Sequence, residues 1–199
     1  MTEVVLYHHI QGLTEGVRSF ADELRQAGHT VHTPDLFEGR TFDTIEEGMA
    51  FAREAGFGAL ADRGLAAAEM IRPEAVYAGF SFGVMVAQQL AQTRPGARGA
   101  LLMCSCLPVS EFGDAWPEGV PVQVHGKDAD PFFAEDLEAA KALTLGGRPK
   151  HVRALRAHAC AYAHEGHGAG GEEEDASVVP GLAVLDSRQW CGFALGCAP

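Results

Sequence analysis

The chain has 199 residues, 47% of them hydrophobic and 21% charged, enough for one domain with a substantial core and too few for two comfortable ones. A formal charge of −12 leaves nothing basic to neutralise phosphates over a surface, which argues against nucleic-acid partners and against anionic membranes.

The first residues, "MTEVVLYHHIQG", have no basic lead and only a four-residue apolar run, so they predict a first strand rather than a signal peptide or a membrane span. In "TEGVRSFADELRQAG", Val17, Phe20, Ala21 and Leu24 recur at helical spacing. Thr14 suits the start of that helix and Gly28 a left-handed stop. "HTVHTPDLF" predicts a short strand ended by Pro34 and Asp35; "TIEEGMAFAREA" and "GALADRGLAAAEMI" predict helices joined near Gly56 to Gly58. The alternation continues with "EAVYAGF" as strand, "GVMVAQQLAQT" as helix and "RGALLMCSC" as strand. A polar loop around Trp116 follows, then "VPVQVHG" as strand and "FFAEDLEAAKAL" as helix. Strand-length apolar runs alternating with amphipathic helices imply βαβ units, and so a mostly parallel sheet with helices on both faces.

Five cysteines, Cys104, Cys106, Cys160, Cys191 and Cys197, make an odd count without zinc-ribbon spacing, which fits a reducing cytoplasm better than a disulfide framework. Cys104 and Cys106 alternate along the expected strand and would point to opposite faces. From Gly146 the composition shifts abruptly to Gly, Ala, Arg, His and Cys. Residues 1–145 are therefore expected to form the core, and 146–199 an atypical, poorly ordered end of the same domain. Either a divergent terminus or a change of reading frame near Leu145 would produce that shift. Translating the other two frames of the coding DNA separates the two.

Chemistry in a parallel sheet belongs at the carboxyl ends of the strands. "GFSFG", Gly79 to Gly83, sits there and fits the nucleophile elbow G-x-S-x-G between strand and helix, with Ser81 as the nucleophile. The helix start would offer the Phe82 N–H to a developing oxyanion. An acid should follow on a later strand end: Asp130, ahead of "PFF", is the first choice and Asp128 the second, although an aspartate there can simply cap the next helix. The base must be a later histidine. Among His151, His158, His164 and His167, the last lies between glycines in "YAHEGHGAG" and is preferred, with His164 next.

Through "VVLYHHIQGLTEGVRSFADELRQAGHTVHTPDLFEGR", "YAGFSFG" and "VPVQVHGKDADPFF", the chain resembles the dienelactone hydrolase family of α/β-hydrolases over roughly its first 145 residues. The resemblance implies the α/β-hydrolase fold and an early "H-x-I-x-G" loop beside the nucleophile, placing the Ile10 N–H in the oxyanion hole with that of Phe82. Relatives carry the histidine in a "Y-P-G-x-x-H" loop, and Tyr162 stands five residues before His167. The best-known members have a cysteine nucleophile and an early-loop glutamate. Here those places hold Ser81 and His9, which favours a generic ester, lactone or thioester over a dienelactone and leaves His9 to contact the substrate or pack at the site edge.

The expectation is thus a cytoplasmic serine hydrolase, monomer or homodimer, acting on a small-molecule ester through an acyl-enzyme. A competing expectation is a non-catalytic relative that binds an acyl or aromatic ligand through Phe80, Phe82 and Trp116. Zinc binding by His158, Cys160, His164 and His167 matches no closed-site spacing, and "GFSFG" lacks the marks of a phosphate loop or dinucleotide fingerprint. Neither a metal nor a cofactor is expected.

Overall fold

Each central strand carries apolar residues on both of its sides, and in the computed structural model both sides are covered. The structure describes residues 1–126, 130–145 and 151–152, with 144–145 and 151–152 as backbone only. In β1 (Glu3–Tyr7), Val4 and Leu6 pack with Val17, Phe20, Ala21 and Leu24 of α1 (Glu15–Gln26). Val5 and Tyr7 point the other way, into a core shared with α2 (Ile45–Ala55), α3 (Phe57–Glu69) and α4 (Val84–Thr93). The same split runs through β3 (Ala75–Phe80), where Val76, Ala78 and Phe80 face α1 and Ala75 and Tyr77 face the opposite layer. Burial of a side chain such as Leu6 or Leu102 stabilises the fold by about 1.5–3 kcal/mol. The continuous apolar runs of the sequence are the signature of this two-sided burial.

Among the described residues six strands, completed by β2 (Thr30–His32), β4 (Gly99–Met103), β5 (Val122–His125) and β6 (His151–Val152), lie in the order β2-β1-β3-β4-β5-β6, and every pairing is parallel. After β5 the chain forms α5 (Pro131–Leu145), whose Phe133, Ala140 and Leu143 join the core that holds Val122 and Val124. The chain runs from β1 outward to β2 and returns to β3 on the other side of β1. That reversal opens a crevice between the carboxyl ends of β1 and β3, where open α/β sheets bind ligands. The register pairs Tyr7 with Gly79, so the residues after β1 lie beside those after β3.

Two expectations need correction. The fourth strand ends at Met103, because Cys104 takes a left-handed φ of 61°, so Cys104 and Cys106 are not alternating strand residues. Thr14 stands at the start of α1 without a side-chain capping bond, its hydroxyl being engaged by His9. Past residue 145, the two-residue β6 pairs with β5.

Arg94, just past α4, ties the helical layer together. Its Nη1 donates to the Ala68 carbonyl at 2.7 Å and the Tyr77 hydroxyl at 3.0 Å, and its Nη2 to the Ile71 carbonyl at 2.8 Å. These carbonyls belong to the end of α3 and the turn after it, where a helix leaves acceptors unpaired. Arg94→Ala is expected to lower stability by about 2–3 kcal/mol, read as a drop in the urea midpoint, because charge-assisted bonds to part-buried carbonyls are lost. Among the described residues, no helix is long and apolar enough to cross a membrane.

Candidate active site

The elbow is built by steric exclusion. β3 is buried along its whole length and ends at Phe80; Ser81 then adopts φ 44° and begins a three-residue turn, Ser81–Gly83, that runs straight into α4. A left-handed φ is unfavourable for a side chain with a Cβ, so its presence here is local strain at a strand-to-helix junction. Two glycines permit it. A Cβ on Gly79 would lie 2.5 Å from the Gly83 backbone, and one on Gly83 would lie 2.6 Å from the carbonyl oxygens of both Tyr7 and His8. Strand, turn and the end of β1 thus approach more closely than any side chain would allow. Ser81 is left half-buried at the border of a cavity of about 170 Å³, lined by His9, Ile10, Gln11, Ile45, Met49, Ser81, Phe82, Cys104, Asp130 and Phe132.

The adjacent histidines have different surroundings. His8 is fully buried; its Nδ1 meets the His9 carbonyl at 2.7 Å and its Nε2 meets the Leu36 N–H at 3.0 Å. Nδ1 must therefore carry the proton and Nε2 accept, which makes His8 a neutral brace between the loop after β1 and the chain after β2. Burial lowers its pKa from the ordinary 6.5, and the His9 carbonyl and Asp35, 3.7 Å away, act in the opposite direction. On unfolding, His8 returns to the higher value, so the unfolded chain takes up the proton first as pH falls. Stability from this group is full above about pH 6.5 and declines below it, by at most ~1.4 kcal/mol per pH unit, until the folded state also protonates. The urea midpoint is expected to drop more steeply between about pH 7.5 and pH 5.5 in the native chain than in His8→Asn.

His9 reaches the cavity. Its Nδ1 accepts the Gln11 N–H at 3.2 Å, and its Nε2 lies 3.2 Å from the Thr14 hydroxyl, so the ring braces the loop that carries Ile10. Gln11 in turn donates from Nε2 to the carbonyls of Phe42 and Asp43. α2 seals this wall: a Cβ on Gly48 would collide with the Ile10 carbonyl, so only glycine lets the helix lie so close. Thr44 and Glu47 cap that helix reciprocally, Glu47 N–H to Thr44 Oγ1 at 3.2 Å and Thr44 N–H to Glu47 Oε2 at 3.3 Å.

Asp130 borders the same cavity as Ser81 from the start of α5. Its Oδ1 accepts the Phe132 N–H at 3.0 Å, so it also serves the helix start, the role an aspartate here can play without any chemistry. α5 is held by Asp136, whose Oδ2 accepts from the Ser105 hydroxyl at 2.6 Å and from the Cys106 N–H at 3.1 Å. Cys106 is no rival nucleophile. Burial, and secondarily Asp136, push its thiol up to about 12, so it stays protonated.

Of the residues singled out from the sequence, Ser81, Ile10, Phe82, His9 and Asp130 come together around one cavity. Phe80 and Trp116 do not join them. Phe80 follows the alternation of β3 to the α1 face, fully buried and edge-on to Phe20 at 5.3 Å; Trp116 is a core residue whose Nε1 donates to the Val120 carbonyl at 2.7 Å. The Phe82 ring leans on Phe37 and Phe57. Asp128, His158, Cys160, Tyr162, His164 and His167 lie outside the described residues, and of His151 only the backbone is described. Sequence reasoning missed Ile45, Met49, Gln11, Cys104 and Phe132. The i, i+4 spacing of Ile45 and Met49 put them on one face of α2, and only the packing against Gly48 says which way that face turns. Among the described residues, no cluster of three or more His, Cys, Asp or Glu side chains could hold a metal ion.

No known family profile matches the chain. Solved structures do resemble it. A dienelactone hydrolase-like promiscuous phosphotriesterase from metagenomic libraries aligns with a TM-score of 0.64 at 19% identity, over 98% of this chain and 84% of the other. The dienelactone hydrolase of Anabaena variabilis aligns at 0.58 and 21% identity, over 83% and 79% of the two chains. A candidate hydrolase of the alpha/beta superfamily from Xanthomonas campestris aligns at 0.52 and 20% identity, over 82% and 94%. A parallel sheet with helices on both faces, a serine elbow after the third strand and these likenesses lead to one conclusion: the chain has the α/β-hydrolase fold, in the form shared by dienelactone hydrolase-like structures.

Proposed function

We propose that the chain is a serine hydrolase that cleaves small esters, lactones or thioesters through an acyl-enzyme on Ser81. The observation that carries this reading is the left-handed Ser81 at the edge of a cavity, held there by two glycines whose replacement the backbone does not tolerate. In the proposed reaction Ser81 Oγ attacks the acyl carbon while His167 accepts its proton. Asp130 orients the imidazole, and the N–H groups of Phe82 and Ile10 receive the negative charge on the carbonyl oxygen. Collapse of the adduct expels the alcohol or thiol, which takes the proton from His167; water, activated by the same histidine, then releases the acid and restores Ser81. General-base assistance of this kind contributes about 10²- to 10⁴-fold, and an oxyanion donor about 10²- to 10³-fold. The resemblance to dienelactone hydrolases supports ester chemistry, and the serine and His9 in place of cysteine and glutamate support a generic substrate.

Pre-steady-state hydrolysis of p-nitrophenyl acetate tests the acyl-enzyme. A burst of one p-nitrophenol per chain, absent from Ser81→Ala and strongly slowed in His167→Ala, is the expected result. Turnover unaffected by either substitution would refute the assignment. The competing reading, a ligand-binding relative without a working base, predicts no burst in the unmodified chain.

A further inference from the structure

We propose that the cavity beside Ser81 is an acyl pocket with a fixed wall, formed by Ile45 and Met49 of α2, that takes uncharged acyl groups of about benzoyl size and disfavours both long chains and acyl groups bearing a carboxylate. The inference rests on the proposed acyl transfer at Ser81 and names the substrate class of that site.

Volume sets the size. The cavity is about 170 Å³, close to the roughly 150 Å³ of an apolar cavity known to accept one benzene molecule, so the space suits roughly six to eight non-hydrogen atoms. The walls set the polarity. Ile10, Ile45, Met49, Phe82 and Phe132 line it with hydrocarbon and thioether, the surroundings that favour an apolar guest. The described lining holds one carboxylate, Asp130, and neither lysine nor arginine, while the chain as a whole carries −12. An acyl group with its own carboxylate would enter against this field, with no lysine or arginine among the described lining residues to receive it.

Rigidity makes the limit a sharp one. Ile45 and Met49 stand one turn apart on a helix fixed at its start by the Thr44–Glu47 capping box. Gly48 holds that helix against the Ile10 carbonyl, and Phe51 clasps it to Phe37 and Phe42 at ring-centroid distances of 5.0 and 5.3 Å. A longer acyl chain therefore cannot make room simply by pushing α2 outward. Met49, partly buried and at the cavity wall, is the side chain whose volume is expected to set the longest acyl group accepted.

The test uses the full-length Ser81→Ala chain, so that ligand binding is read without turnover. Titration calorimetry with ethyl benzoate, its para-carboxylate analogue and ethyl decanoate is expected to rank ethyl benzoate first, with each of the others about tenfold weaker or more. Adding Met49→Ala should improve ethyl decanoate by about tenfold, and adding Met49→Phe should weaken ethyl benzoate by a similar factor. Two substitutions of opposite sign guard against a general loss of structure, since a damaged fold would weaken both ligands. Failure of ethyl benzoate to bind, equal affinity for all three ligands, or no response to either Met49 substitution would overturn the proposal. Fluorophosphonate labelling of the unmodified chain reports separately on the nucleophile. A reactive Ser81 with unselective binding sinks the acyl pocket alone; an unreactive Ser81 with the predicted ranking sinks the acyl transfer alone.

Discussion

Ser81→Ala is expected to abolish ester hydrolysis, with a loss of about 10⁶-fold in kcat, because members of a nucleophile–base pair act as a unit and removing one removes the pathway. The paired variant Ser81→Gly separates chemistry from folding. It should be equally inactive yet more stable than the parent by about 1 kcal/mol, since glycine occupies the φ of 44° without the penalty a Cβ incurs there. Urea denaturation of the three chains, run beside p-nitrophenyl acetate assays, checks both halves. A serine whose removal left turnover intact, or whose replacement by glycine lowered stability, would be an ordinary turn residue rather than a strained nucleophile.

Gly83→Ala is expected to produce a large loss of stability, more than about 3 kcal/mol, and to remove activity with it. Its Cβ would stand 2.6 Å from the carbonyl oxygens of Tyr7 and His8 and 2.7 Å from the Tyr7 carbonyl carbon, all backbone atoms that no rotamer change can move aside. Relief would require the end of β1 to shift away from the elbow, carrying with it the His9–Ile10 loop on which the proposed oxyanion site depends. Gly79→Ala meets the Gly83 backbone at 2.5 Å and should behave alike. Gly113→Ala is the control: nothing lies within 4 Å of its Cβ, so its effect should stay within about 0.5 kcal/mol. The urea midpoints of the three variants, with circular dichroism to confirm folding, decide the matter.

Much of this was legible in the sequence. The alternating strands and helices appear where the apolar periodicity puts them, because each central strand is buried on both sides and each helix on one. The elbow was legible for a mechanical reason: both glycines that mark it in the sequence are ones whose Cβ atoms would clash with backbone. Other features depend on facing and on distant partners. Phe80 and Phe82 flank Ser81 alike in the sequence, but the parity of β3 sends Phe80 under α1, and the turn after Ser81 brings Phe82 to the cavity. That parity could have been counted from Val76 and Ala78. Trp116 stood alone in a polar stretch and looked like a binding residue, although its indole fills the core and bonds back to Val120. The His8–His9 doublet gave no hint that one ring braces the backbone while the other reaches the cavity. That division comes from Leu36, Gln11 and Thr14, whose positions the topology alone supplies. A two-residue strand such as β6 has too few residues for any periodicity to reveal it.

The central claim is that Ser81 is an activated nucleophile, and the most direct test is to expose the purified full chain to a fluorophosphonate probe and map the adduct by peptide mass spectrometry. Stoichiometric modification of Ser81, lost in Ser81→Ala and prevented by prior denaturation, is the predicted result. A native chain that stays unmodified under conditions that label an active serine hydrolase, or one modified at a residue other than Ser81, would contradict the account.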